Sequence, residues 1–185
     1  MLQQACLDAV AWPDEIALAV NISPAQFKFG NFLQMVTGAL EKSGLPARRL
    51  ELEITESLLI EDMDAVSKRA SRLRAEGVRI AIDDFGTRYS SLGYLQTLPI
   101  NAIKIDQSFV QDLGLRSASS SIVAAMIGIA RGLRLDLVAE GVERTEHLES
   151  LQGMGCDVMQ GYLFSRPMPA GEVSDYLASS NALRQ

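Results

Sequence analysis

Two adjacent carboxylates, Asp83 and Asp84, close the apolar run of the stretch VRIAIDDFGTRYSS, residues Val78–Ser91. An unpaired carboxylate at the mouth of a buried strand costs several kcal/mol or neutralises, unless a cation meets it. The pattern recurs along the chain. Glu51 and Glu53 alternate with leucines in LELEIT, and Glu56 follows. Lys104 and Asp106 share one face of AIKID; Glu140 ends DLVAE, with Glu143 just beyond. Asn21 ends IALAVN, and Gln160 lies within VMQGY. Each has a plain role as well. An acid pair can cap the next segment, Asn21 can serve a turn, and Lys104 can salt-bridge Glu53 or Asp83. A carboxylate row can face solvent, but not in a strand covered on both sides.

His147 is the only histidine, in the polar helical stretch TEHLES, where a surface position is expected. Histidine-rich metal sites, Ser-His-Asp triads and Cys-His pairs are thereby disfavoured. Chemistry must run on carboxylates, amides and lysine, and such oxygen ligands suit Mg²⁺, Mn²⁺ or Ca²⁺. Two such ions about 4 Å apart can lower the pKa of a bridging water and clamp a phosphodiester for in-line attack. Asp83 could bridge both ions and Asp84 hold the second. Lys104 could orient the water or offset charge on phosphorus, and Glu140 could be a ligand or a general base. Enolase-type chemistry, with acids and a lysine on barrel strands, is the mechanistic rival.

The formal charge of −6 argues against a nucleic-acid polymer as partner. Divalent ions would join an acidic rim to an anionic substrate. Cys6 and Cys156 form no CxxC pattern, and both are expected buried in a reducing cytoplasm. No apolar run approaches the ~20 residues that cross a bilayer, and the N-terminus lacks signal-peptide regions.

The elements that must carry these residues alternate. Strands are expected at Ile16–Asn21, Leu50–Thr55, Val78–Asp83, Ala102–Asp106, Asp136–Glu140 and Val158–Tyr162. Helices are expected at Leu2–Trp12, Asn31–Ser43, Asp62–Glu76, Ser91–Thr97, Ser119–Arg134, Thr145–Met154 and Glu172–Ala182. The serines Ser119–Ser121 would cap the fifth of these. Alternation calls for an α/β fold with parallel strands and right-handed crossovers, either a doubly wound sheet or a (β/α) barrel. No GxGxxG follows any strand, as a Rossmann sheet would want. Polar groups at nearly every strand's carboxyl end favour a site on a barrel's top face. No linker or second domain is evident.

The segments VNIS (Val20–Ser23), ELEITES (Glu51–Ser57), IDDFGTRYSS (Ile82–Ser91), KIDQSFV (Lys104–Val110), VAEGVE (Val138–Glu143) and QGYLFSRP (Gln160–Pro167) resemble the EAL domain, in that family's order and spacing. The resemblance implies a TIM-like barrel and bacterial second-messenger signalling. The activity would be hydrolysis of cyclic di-GMP to linear pGpG with Mg²⁺ or Mn²⁺. It implies Asn21, Glu53, Asp83 and Asp84 as metal ligands, and Lys104 in contact with the attacking water. Glu140 would be a ligand or base. Asp106, Glu143 and Gln160 would lie near substrate, and Glu56 would hold the loop after Asp83. Fusion to sensor or GGDEF-type domains is implied as well, and unpaired edges at the first and last strands are expected to drive dimerisation. Two departures stand out. The tripeptide that names the family is absent, so residues 1–185 resemble an N-terminally truncated domain with about six of eight strands, whose isolated activity is expected to be low. Arg88 stands where the family usually has glycine, in the loop after the acid pair. The competing expectation is a degenerate module that binds cyclic di-GMP, or signals, without turnover.

Overall fold

The computed structural model describes residues 1–87, 92–114 and 117–182. Over these, β1 (Leu18–Ile22), β2 (Leu50–Thr55), β3 (Arg79–Phe85), β4 (Ala102–Ile105), β5 (Asp136–Ala139) and β6 (Val158–Met159) form one six-stranded sheet. Each neighbouring pair is parallel, and the strand order is the order of the sequence. A doubly wound sheet reverses its strand order at a switch point; this one never does. Right-handed crossovers in one constant direction put the connecting helices on a single face. The opposite face is left to curl inward, so the sheet is a half-barrel of the (β/α) type.

The face toward the helices is apolar because the strands alternate. In β1, Leu18, Val20 and Ile22 are buried while Ala19 and Asn21 are exposed. Leu50, Leu52 and Ile54 of β2, Ile80 and Ile82 of β3, and Ile103 and Ile105 of β4 are fully buried. Against them lie α1 (Leu2–Val10), α3 (Phe32–Ser43), α5 (Met63–Ala75), α7 (Ser117–Leu133) and α8 (Thr145–Met154), while α9 (Val173–Ala182) ends the described chain. Full burial of each such aliphatic side chain contributes about 1.5–3 kcal/mol. This layer therefore carries the fold and frees the inner face for polar groups. Cys6 and Cys156 are buried free thiols, as expected.

Three short helices that were not among the expected ones follow strands: α2 (Pro24–Lys28), α4 (Glu56–Glu61) and α6 (Gln107–Gln111). Helices of five or six residues are too short to display a helical period. Glu56 is accordingly the first residue of α4, not a loop residue. Ser23 and Gln26 form a reciprocal capping box that starts α2, with Pro24 in the first turn. Ser119–Ser121 do not cap α7, which already begins at Ser117; the Ser121 hydroxyl donates to the Ser117 carbonyl at 3.1 Å. Ser91, expected to open a helix, lies outside the described residues, and a 3₁₀ turn covers Leu92–Gln96. Among the described residues no helix is long and apolar enough to cross a membrane.

Arg49 ties the start of the chain to the sheet. It is buried, and its guanidinium donates to the carbonyls of Ile16 at 2.9 Å, Ala9 at 2.8 Å and Trp12 at 3.2 Å, and to Asp14 Oδ1 at 3.3 Å. Those carbonyls belong to the end of α1 and the chain leading into β1. Arg49→Met leaves them without a donor, and a buried unsatisfied group costs about 1–3 kcal/mol. Urea unfolding should show a loss of about 2–4 kcal/mol. Arg49→Lys should recover little of it, because an ammonium cannot fork to four acceptors. An unchanged midpoint in Arg49→Met would contradict this.

His147 is buried rather than on the surface. The Arg144 Nε donates to its Nε2 at 3.0 Å, while Nδ1 has no partner among the described residues. Burial first, and Arg144 second, depress its pKa below the ordinary value, against weaker opposition from Glu146 and Glu143. The sign follows: the folded chain keeps His147 neutral to lower pH than the unfolded chain, which takes a proton near pH ~6.5. This contribution is therefore present above that pH and lost below it. The carboxylates with raised pKa values act in the opposite sense at lower pH. The difference between wild type and His147→Gln should isolate the histidine, with wild type losing more stability between pH 7.5 and 5.5, both on the order of ordinary histidine titration.

Candidate active site at the strand ends

The side chains that alternate with the apolar core project from the concave face. Asn21 of β1 lies level with Glu53 of β2, and Thr55 of β2 lies level with Asp83 of β3. Between Ile82 and Phe85 the β3–β4 register shifts, so Asp83 and Asp84 fall in an irregular step at the strand's end. Asp84 takes a left-handed backbone, φ 55°, which disfavours most side chains but which Asp tolerates. Its amide donates to Asp83 Oδ1 at 3.1 Å, and its carbonyl accepts from the Thr87 hydroxyl at 3.0 Å.

Lys104 stands at the centre. It is only 3% exposed, and its Nζ lies 2.7 Å from Glu53 Oε1, 2.5 Å from Glu140 Oε1 and 3.8 Å from Asp83 Oδ1. Burial lowers its pKa, but the hydrogen bonds it donates to Glu140 and Glu53 outweigh that and raise it. Lys104 is thus an ammonium. Glu53 and Glu140 have pKa values pushed up by burial despite the lysine's opposing pull, with Asp83 adding repulsion to both. Asp84 is raised by burial and then by Asp83 and Asp106.

Oxygens of Asp83, Asp84 and Glu140 lie within 4.8 Å of one another. This is a hard-oxygen set with a carboxylate neighbour at Glu53 and an amide level with it at Asn21. Among the described residues no thiolate or imidazole joins it. Such donors fit Mg²⁺, Mn²⁺ or Ca²⁺ and not zinc. Glu140, expected as ligand or base, sits with the acid pair; Glu53 is held by Lys104.

The other expected site residues reach the same rim. Asp106 lies just past β4 rather than within it and caps α6, accepting from the Ser108 amide at 3.0 Å and from the Ser108 hydroxyl. Gln160 lies just past β6, and its amide and carbonyl join the backbones of Ala139 and Val142 at 2.8 and 3.0 Å. Gln160, Glu140, Glu143, Gln107 and Tyr162 line a cavity of about 200 Å³. A larger cavity of about 710 Å³ runs down the concave face past Glu53, Lys104 and Val138, under Tyr162, Phe164 and Arg166. The Arg166 guanidinium stacks 4.9 Å from the Tyr162 ring. Gly161 is required for this path, because a Cβ there would run into the Val142 backbone. Glu56 is buried and accepts from the Gly86 amide at 3.2 Å and the Tyr94 hydroxyl at 3.1 Å. Arg88, singled out in the sequence, lies outside the described residues.

Two groups escaped the sequence reading. Arg79 pairs with Glu51 at 3.0 Å and Asp136 at 2.5 Å, joining β2, β3 and β5 on the concave face. Its parity with Asp83 on one strand was the available signal. Tyr94, the partner of Glu56, gave none.

The family profile of the EAL domain matches residues 1–167. The chain belongs to the EAL domain family. Among curated relatives, an uncharacterized Sinorhizobium fredii protein, y4lL, is 45% identical over 99% of this chain and 22% of its own length. The cyclic di-GMP phosphodiesterase NbdA of Pseudomonas aeruginosa is 40% identical over 96% of this chain and 23% of its own length. The chain thus spans less than a quarter of either relative. Among solved structures, the PaMucR phosphodiesterase in complex with c-di-GMP matches with a TM-score of 0.89 at 41% identity, over 93% of this chain and 71% of that one. Klebsiella pneumoniae BlrP1 in a manganese and cyclic di-GMP complex matches with a TM-score of 0.82 at 33% identity, over 89% of this chain and 42% of that one. A calcium complex of BlrP1 matches as well. EAL homologues thus carry divalent ions of the class that this oxygen donor set fits.

In this EAL domain the buried lysine offsets the repulsion of three carboxylates. Lys104→Met should destabilise the ion-free protein by about 3–5 kcal/mol at pH 7.5, the usual range for stranding buried charges. The loss should shrink toward pH 5, where Glu53 and Glu140 accept protons more readily than ordinary carboxylates. Urea unfolding at both pH values checks this, and an equal loss at both would contradict it.

Proposed function

We propose that this chain is the larger part of a cyclic di-GMP phosphodiesterase domain, which hydrolyses the cyclic dinucleotide to linear pGpG. The observation that carries the reading is the convergence of Asp83, Asp84 and Glu140 oxygens within 4.8 Å of one another beside a buried lysine. The named relatives' cyclic di-GMP complexes support the choice of substrate.

Asp83, Asp84 and Glu140, with Glu53 and Asn21 beside them, would hold one or two divalent ions. Such an ion supplies Lewis acidity toward phosphate oxygen and lowers the pKa of water. The remaining work falls to the chain. The Lys104 ammonium donates hydrogen bonds to the attacking water or to a phosphoryl oxygen as negative charge builds there. Water adds to phosphorus, the bond from phosphorus to one ribose 3′-oxygen breaks with its electron pair going to that oxygen, and the oxygen takes a proton from solvent water to leave as a hydroxyl. A carboxylate at the rim that does not hold the ion accepts the proton that the water gives up, Glu140 where it serves as base instead of ligand. Asp106, Glu143 and Gln160 face the nucleotide from the outer rim, and Glu56 steadies the backbone after Asp84. A base of the enolase kind needs a neutral amine, which the carboxylates around Lys104 oppose.

The same reading includes a homodimer, further sensor or GGDEF-type domains in the parent polypeptide, and a cytoplasmic setting. Two buried free thiols accord with that setting. The alternative, binding without turnover, draws support from Lys104, which engages Glu53 and Glu140 and competes with an ion for them.

The chain incubated with cyclic di-GMP and Mn²⁺ should bind the dinucleotide and give slow formation of pGpG. A longer polypeptide carrying the naming tripeptide should be markedly faster. In it, Asp83→Asn should lower kcat by about 100-fold or more, as for loss of a group acting on the transition state. Binding with no pGpG from either polypeptide would favour the signalling module. No binding at all would refute the substrate.

A further inference from the structure

The acid pair depends on a backbone that departs from strand geometry, and something must hold it there. Asp84 is left-handed, and Gly86 is left-handed too, at φ 94°. Gly86 is wedged: a Cβ would collide with the Met126 methyl of α7 and press on the Phe109 ring of α6. Its amide is drawn to the other side by Glu56 Oε2 at 3.2 Å. Glu56 is 1% exposed, so its carboxylate has little water to turn to. Its second oxygen, Oε1, accepts from the Tyr94 hydroxyl at 3.1 Å. Among the described residues these are the two donors to that carboxylate. Tyr94 itself is buried, in the 3₁₀ turn that leads into β4.

We infer that Tyr94 is a positioning residue for the Asp83–Asp84 carboxylates, acting through Glu56 on the Gly86 amide. The physical reason is the geometry of a carboxylate. With both oxygens bonded, its plane is fixed; with one donor lost, it can turn about its last torsion and swing Oε2 away from Gly86. The amide then loses a charge-assisted partner, and the left-handed pair Asp84 and Gly86 loses the contact opposing its strain. Asp83 and Asp84 move with the backbone, while Glu140, just past the end of β5, does not. The inference rests on the proposed ion-binding function only for what the carboxylates hold.

Tyr94→Phe removes the hydroxyl and keeps the ring. Amide hydrogen exchange of the chain, followed by NMR, should show Gly86 and Asp84 exchanging about tenfold faster, as loss of one hydrogen bond of ordinary net strength allows. The amides of Ile82 and Ile103, in the adjoining strands, should not change. Titration with Mn²⁺ alone, without nucleotide, should show about tenfold weaker binding, the low end for disturbed partners of metal ligands. Unchanged exchange at Gly86 overturns the inference. So does a uniform acceleration that includes Ile82 and Ile103, which would make Tyr94 an ordinary packing residue. So does wild-type Mn²⁺ affinity in the variant. If the wild-type chain binds no Mn²⁺ while Tyr94→Phe still loosens Gly86 and Asp84 alone, the link stands and the ion-binding reading fails.

Discussion

A buried ammonium surrounded by carboxylates is the constraint on which the rest depends. Lys104 is almost wholly removed from water, yet it keeps its proton because Glu53 of β2 and Glu140, just past β5, reach it from opposite sides. Neither partner is local in sequence. The lysine therefore demands that β2, β4 and β5 hold one register and one curvature, since a slip of one residue would turn it into the apolar layer. The carboxylates demand the same in return: without the cation, Glu53, Asp83 and Glu140 would repel in a poorly solvated space.

The two faces of the sheet divide the labour. Leucine, isoleucine and valine on the helix side supply the hydrophobic stabilisation. The concave side is ionic at two levels, Glu51–Arg79–Asp136 near the strand starts and the Lys104 cluster near their ends. Because every crossover runs the same way, the connecting helices lie on the other side, and the concave side keeps a cavity that Val173, Tyr176 and Leu177 of α9 line opposite the strands. A fold built in this manner delivers a functional group from each strand to one rim, and the rim can then bind what no single strand could.

The acid pair shows how local strain is tolerated at such a rim. Two carboxylates in succession on a regular strand would point to opposite faces. The register shift and the left-handed turn at Asp84 bring both to the rim beside Glu140. The price of that turn is met by contacts outside the strand: the Gly86 wedge against α6 and α7, and the Glu56 carboxylate on its amide.

Strand positions and the parallel arrangement were legible in the sequence, because alternation of period two is a local property. The resemblance to the EAL family was legible for the same reason, in short blocks of fixed spacing. The short helices α2, α4 and α6 were not, since one turn and a half leaves no period to read. Nor was the burial of His147, which sits in a polar stretch but turns inward on α8. Tertiary structure alone decided which carboxylates Lys104 would hold, that Glu140 rather than Asn21 or Glu53 would join the acid pair, and that Tyr94 would reach Glu56 across 38 positions. Those outcomes depend on sheet curvature and on the strand-to-strand register. Both are set by packing among distant segments, and no neighbouring residue encodes them.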